Sequence, residues 1–398
     1  MRRTLRALAA AIVLLAVPGV GAGAAGGDRS IALTPLGTYA SGYFDDGGAE
    51  IAAFDESSGR IFVVNAADAS VDILDATDPA ALTKVGAIDV TPFGRLANSV
   101  AVHDGVVAVA IEADPHTAPG TLAFFDADGG LLSKVQVGAQ PDMVTFTPSG
   151  SYALVANEGE PNDEYTVDPE GSVSVVDLRE GAAGVRQSDV RTAGFGQFAR
   201  SDLDPSIRVY GPGASVAQDL EPEYIAVSSN GRTAWVSIQE ANALAVLDIK
   251  SGVFTALKGL GFKDWSLPEN VLDPSDRDGA IRLASWPVKG MFQPDGIASY
   301  RVKGRDYIVS ANEGDARDYD GFSEEVRVKD VALDPAAFPD AATLQQNENL
   351  GRLRITTANG DADGDGLYEE LYAYGARSFS IWSADGALVG DSGAALER

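Results

Sequence analysis

The chain has 398 residues, 45% of them hydrophobic and 22% charged, enough apolar material for a substantial core, which excludes wholesale disorder. With 30 lysines and arginines against 58 acids, its net charge of -28 argues against nucleic acid or any polyanion held on a basic surface. Cysteine is absent and there are two histidines, His103 and His116. Disulfide frameworks, thiolate metal sites and cysteine nucleophiles therefore drop out, and a serine-histidine triad or His-based zinc site has almost nothing to rest on.

At the N-terminus, Arg2, Arg3 and Arg6 precede the apolar run ALAAAIVLLAV and the small residues Ala22-Gly23-Ala24. This is the layout of a secretory signal peptide over residues 1–24. The apolar run falls well short of the roughly 20 residues of a membrane-crossing helix. The mature protein is thus expected outside the cytoplasm (secreted, periplasmic or on the cell surface) with no integral membrane segment.

From residue 31 on, short runs of Val, Ile, Leu, Phe, Trp and Ala alternate with Gly, Asp, Asn and Pro. No long 3.6-residue period interrupts them, which predicts an all-β chain. A first hairpin recurs as EIAAFDESSGRIFVVN from Glu50, NSVAVHDGVVAVAIE from Asn98, DMVTFTPSGSYALVANE from Asp142, EYIAVSSNGRTAWVSIQ from Glu223 and DGIASYRVKGRDYIVSANE from Asp295. A second follows each copy, as VDILDATDPAALTKVGAI follows the first and SFSIWSADGALVGDS the last.

Two hairpins make a four-stranded unit, and a repeat of about 40 to 50 residues built of such units is the signature of β-propeller blades. Five blades are visible, with strands a to d and insertions at about 192–220, 258–291 and 314–377. A stack of β-sandwich domains is the competing fold. Residues 32–40, ALTPLGTYA, resemble a lone outer strand d of the kind that closes a propeller by hiding its open edges. The expectation is a propeller domain over residues 31–393 that is truncated before its closing blade, with closure by five blades as the alternative.

Because a meander reverses at every turn, the start of strand a, the end of strand b and the b–c loop share one face. The a strands open with Glu50, Asn98, Asp142, Glu223 and Asp295. Two b strands end in the near-identical turns Asn157-Glu158-Gly159-Glu160 and Asn312-Glu313-Gly314-Asp315. Crowded carboxylates raise one another's pKa unless a cation neutralises them, which makes this rim a candidate binding site and a divalent metal a natural occupant. For each residue taken alone, capping of a strand end is the plainer reading.

Arg317, Arg327, Lys329 and Arg377 are the notable cations nearby. They either receive a phosphate or carboxylate or form surface ion pairs with Asp315, Asp318, Glu324 and Glu325. Trp265 and Trp286 fall in an insertion, as packing residues or a stacking platform. The run NGDADGDGLYEE places Asp361, Asp363 and Asp365 at alternate positions before Gly366, the first half of an EF-hand-like calcium loop. Position 12 is Tyr372 where such a loop has a bidentate Glu, so Glu369 or Glu370 would have to complete the Ca2+ shell.

The segments AQPDMVTFTPSGSYALVANEGEPNDEYTVDPEGSVSVVDL, MFQPDGIASY, IVSANEGDARDYDGFSEEVRVKD and DGDGLYEELYAYGARSFSIW resemble the choice-of-anchor I family. These are secreted propeller proteins similar to mesenchyme-specific cell surface glycoproteins of animals that make mineral skeletons. The resemblance implies an extracellular or surface protein whose complete propeller has seven blades, often followed by a C-terminal anchor. Some members are labelled alkaline phosphatase.

Two functions are therefore in view. One is a calcium-loaded propeller whose rim binds an extracellular ligand or mineral ion, phosphate-containing ligands included. The other is a metal-dependent phosphoesterase, with clustered Ca2+ ions neutralising phosphate and activating water.

Overall fold

The computed structural model describes residues 32–398; the predicted signal peptide lies outside the described residues. Five four-stranded antiparallel meanders follow one another along the chain and are called blades 1 to 5. Strands a to d are Ala52–Asp55, Arg60–Asn65, Ser70–Asp75 and Thr83–Asp89 in blade 1, and Leu96–His103, Val106–Glu112, Pro119–Asp126 and Leu131–Ala139 in blade 2. Blade 3 comprises Pro141–Phe146, Tyr152–Asn157, Ser172–Asp177 and Val190–Gly194, and blade 4 Pro222–Val227, Thr233–Ile238, Ala243–Asp248 and Val253–Gly259. Blade 5 comprises Ile297–Val302, Arg305–Asn312, Ser378–Ser383 and Leu388–Asp391.

The apolar runs of the b strands follow from how these sheets stack. In blade 2, Val107, Val109 and Ile111 pack with Phe62, Val64 and Ile73 of blade 1. Their alternate neighbours Ala108 and Ala110 pack with Val144, Ala153 and Val155 of blade 3. A strand presents successive side chains to opposite faces, so a strand between two other sheets is apolar on both. The same division places Leu154 and Ala156 of blade 3 against Val236 and Ile238 of blade 4. Trp235 and Leu244 of blade 4 in turn meet Ile308 and Trp382 of blade 5. Each strand a packs beside strand a of the next blade. This face-to-face succession of meanders about their innermost strands is a β-propeller.

One expectation needs correction. Residues 32–40 form no strand. Leu33 and Leu36 are largely exposed, and the stretch touches blade 1 through the Tyr39 hydroxyl, which donates to Asp72 Oδ2 at 3.0 Å. A strand requires a ladder partner for its amides, and among the described residues this stretch has none.

The insertions at about 258–291 and 314–377 fold jointly. Together they build a five-stranded mixed sheet ordered Phe262–Asp264, Lys289–Met291, Tyr372–Ala373, Arg354–Thr356, Glu325–Arg327. Lys289–Met291 pairs in parallel with Tyr372–Ala373. Trp265 and Trp286 lie in the core beneath it with Val328, Leu350 and Ile355. They are packing residues and offer no stacking platform.

Candidate functional site

The start of strand a repeats a short pattern in three blades: Gln140-Pro141-Asp142, Glu221-Pro222-Glu223 and Gln293-Pro294-Asp295. Proline has no N–H to donate to a ladder and is tolerated at a strand's first position, where Pro141 and Pro222 stand. The acid that follows is thereby held at the same end of each strand a.

The ends of the b strands answer it. Glu112 closes strand b of blade 2, Glu158 and Glu313 follow those of blades 3 and 5, and Glu240 lies two residues beyond that of blade 4. Backbone bonds tie the two ends together: Glu158 N–H donates to the Gln140 carbonyl at 2.9 Å and Gly314 N–H to the Gln293 carbonyl at 3.1 Å. Gly314 has a φ of 82°, and a Cβ there would stand 1.9 Å from the Gly375 nitrogen. The turn in blade 5 therefore requires glycine.

The carboxylates that result are crowded and withdrawn from water. Glu158, Glu223 and Glu240 are 9%, 8% and 6% exposed. Gln140 Nε2 donates to both Glu158 Oε2 at 2.6 Å and Glu160 Oε2 at 2.7 Å. The Tyr319 hydroxyl donates to Glu160 Oε1 at 2.6 Å. Arg95 Nε donates to Glu112 Oε1 at 2.8 Å.

Burial, then the charges of Asp295, Glu160 and Glu112, push Asp142 up to about 8. Burial and Asp315 raise Glu240 to about 8, partly offset by Arg317. Asp295 rises to about 6 through burial, Glu313 and Asp315. Glu158 and Glu223 are driven well above the ordinary carboxylate range by burial, then by Glu160 for the first and Glu240 for the second. Asp142, Glu158, Glu160, Glu223, Asp295, Glu313 and Asp315 thus repel one another around a single mouth, with Glu313 and Asp315 at its exposed edge.

Segments of the blade 3 and blade 5 loops roof this mouth. Tyr165 meets the rings of Tyr319 and Phe322 edge-on, both at 5.6 Å, and Gly321 N–H donates to the Asp163 carbonyl at 2.8 Å.

Asn157 and Asn312 do not face the mouth. Adjacent strand residues point to opposite faces, so each Asn beside a mouth-facing Glu turns into its own blade. Asn157 Nδ2 donates to Ser172 and Ser174 Oγ at 3.2 and 3.0 Å. Asn312 Nδ2 donates to Ser378 and Ser380 Oγ at 2.9 and 2.7 Å. They cross-link strands b and c.

Arg317 is also not a surface cation, and its salt bridges run elsewhere than the sequence suggests. It is buried over the Tyr210 ring at 4.7 Å, paired with Asp219 and with Glu221 Oε2, the latter at 2.8 Å. Beside it Arg208 pairs with Glu324.

Glu112, Gln140 and Glu240 escaped the sequence reading. The signal for the two glutamates was present, since the second hairpin strand ends in AIE in blade 2 and SIQE in blade 4, where blades 3 and 5 read ANE.

In the blade 5 insertion, Asp361, Asp363 and Asp365 place one oxygen each within 4.8 Å of one another. Their carboxylates are held by the loop's own amides: Gly364 and Gly366 N–H donate to Asp361 at 2.7 and 2.9 Å, and Leu367 N–H to Asp365 at 2.8 Å. Glu369 Oε2 reaches back to Ala362 N–H at 2.8 Å. Glu370 is engaged by Lys289 and Tyr372, so Glu369 is the acid available to complete the loop. The donor set, all hard oxygens with Gly366 at the turn, fits calcium.

No curated protein matches the chain. Among solved structures it is similar to hydrazine synthase of Kuenenia stuttgartiensis (16% identity, TM-score 0.39), over 69% of this chain and 58% of that one. It is also similar to a protein of unknown function from Bacteroides caccae (12% identity, TM-score 0.37, 86% and 80% covered). A functionally unknown protein from Desulfotomaculum acetoxidans aligns at 11% identity and a TM-score of 0.39, covering 87% and 85%. The chain spans 58% of the length of the hydrazine synthase chain. The choice-of-anchor I domain matches residues 50–398, and the chain belongs to that family.

Proposed function

We propose that this protein is an extracellular binding propeller that holds Ca2+ at Asp361, Asp363, Asp365 and Glu369 and takes an extracellular ligand or mineral ion at its acidic mouth. Choice-of-anchor domains are found on secreted or cell-surface proteins, in keeping with the N-terminal targeting pattern. The observation that carries the reading is the convergence of carboxylates from blades 2, 3, 4 and 5 on one mouth. Such a surface is costly to fold unless something neutralises it.

The phosphoesterase reading has less support. Phosphate recognition wants uncommitted arginines, and Arg208 and Arg317 are already paired with Glu324, Asp219 and Glu221. The test is thermal unfolding with Ca2+ and with chelator, alongside a panel of phosphomonoesters. Binding predicts a higher Tm in Ca2+ and no phosphate release. Chelator-sensitive turnover that Glu158→Gln abolishes would reverse the choice.

A further inference from the structure

Among the described residues, Glu240 Oε2 and Gln140 Oε1 at the mouth are buried acceptors without a hydrogen-bond partner, as is Glu221 Oε1 beside Arg317. Gln140 Oε1 and the ionised Glu240 Oε2 both lack a donor, so the missing partner is a cation or a donor group. Gln140 has no second choice of pose, because its Nε2 is committed to Glu158 and Glu160. Strand a of blade 4, which opens with Pro222-Glu223, packs against strand b of blade 3, which leads into Glu158. Glu240 leaves the end of strand b in the same blade 4. Arg208 donates Nη1 to the Glu240 main-chain carbonyl at 2.8 Å and spends its other end on Glu324, and Arg317 is paired with Asp219 and Glu221.

We propose that Glu158, Glu223 and Glu240, with the amide oxygen of Gln140, form an inner site for a hydrated divalent cation, distinct from the 361–369 loop. The proposal rests on the reading of the mouth as a binding site and names what it takes first. Spacing decides the hydrated form. Among the described residues, Asp361, Asp363 and Asp365 are the acids with three oxygens within 4.8 Å of one another. The inner carboxylates stand too far apart for three of them to close on a bare ion. A Ca2+ shell of six to eight oxygens includes waters readily, and Mg2+ usually retains several. Water therefore bridges the ion to the more distant carboxylates.

The test is equilibrium dialysis of the full chain with Ca2+ and, separately, Mg2+, using a variant whose loop is disabled (D361N, D363N and D365N together). That variant is expected to retain at least one divalent ion. Adding Glu240→Gln or Glu223→Gln is expected to weaken its binding at least tenfold. Glu240→Gln on the intact loop should still bind calcium there, which shows that the substitution leaves the fold in place.

Several outcomes overturn the site. One is a loop-disabled protein that retains no divalent ion at millimolar concentration. Another is affinity unchanged by Glu240→Gln. A third is spermidine binding the loop-disabled protein more tightly than either metal, which would assign the mouth to organic cations. A wild-type calcium response carried wholly by the loop would remove the inner site and spare the calcium-loaded propeller. No calcium response in wild type would remove both.

Discussion

Two buried clusters of charge lie side by side in this propeller and are solved in opposite ways. In one, Asp219 and Glu221 meet Arg317, Glu324 meets Arg208, and the Tyr210 ring lies within 4.7 and 4.2 Å of the two guanidinium carbons. In the other, Glu158, Glu223 and Glu240 face one another and Asp142, with a glutamine amide as the donor to Glu158. The chain supplies the counter-charge for the first from its own insertions. Among the described residues no arginine or lysine is paired with Glu158, Glu223 or Glu240, and on the proposed reading a proton or a cation from outside supplies their counter-charge.

The largest effect is expected where the chain's own cation is removed. Arg317→Met leaves Asp219 and Glu221 buried without a partner and should cost about 3–5 kcal/mol in chemical denaturation. Adding Asp219→Asn and Glu221→Gln should recover much of it. A near-neutral single substitution would erase the distinction between the clusters.

The mouth should reveal itself through pH. Burial and like charges raise Asp142 and Glu240 to about 8 and Asp295 to about 6. A carboxyl whose folded pKa lies above its unfolded value binds more protons in the folded state. Its stabilising effect is complete below the unfolded value, near pH 4, and is lost as pH rises through the folded pKa. Chelated protein should therefore lose stability steadily from about pH 4 to about pH 8, and Ca2+ should flatten the decline. A Tm independent of pH over that window would mean that the mouth is already neutralised.

Glu240→Gln sharpens the same point. In chelator it should raise stability by about 1 kcal/mol, more at pH 8 than at pH 5, while lowering the gain from calcium. The smallest change belongs to the exposed loop. Asp363→Asn should leave stability in chelator within ~0.5 kcal/mol, yet remove the part of the calcium-induced Tm rise that the loop contributes.

Much of the fold was legible from side-chain pattern alone, because the elements concerned are local. Each hairpin carries its own turn glycine and apolar strands, so the five meanders and their insertions could be placed by repetition. Glu158, Glu223, Asp295 and Glu313 were legible for the same reason, since they sit at fixed places in the repeat. Glu112 and Glu240 lay at an equivalent place but without the Asn that marked the others. Asn157 and Asn312 were misassigned because alternation along a strand reverses the facing of neighbours, and a motif read as a unit hides this. Residues 32–40 have the composition of a strand without an edge to pair with.

Sequence by itself determined the repeating four-stranded units, the acidic character of the chain and the alternating aspartates of the 361–369 loop, all of which depend on neighbours within a few dozen residues. Tertiary structure alone decided which acids receive an arginine. Arg317 and Asp219 lie in different insertions, and Trp265 shares a core with Ile355 only because two insertions fold into one sheet. Coulomb interaction and desolvation depend on distance and burial in space, and neither is written in the spacing of residues along the chain.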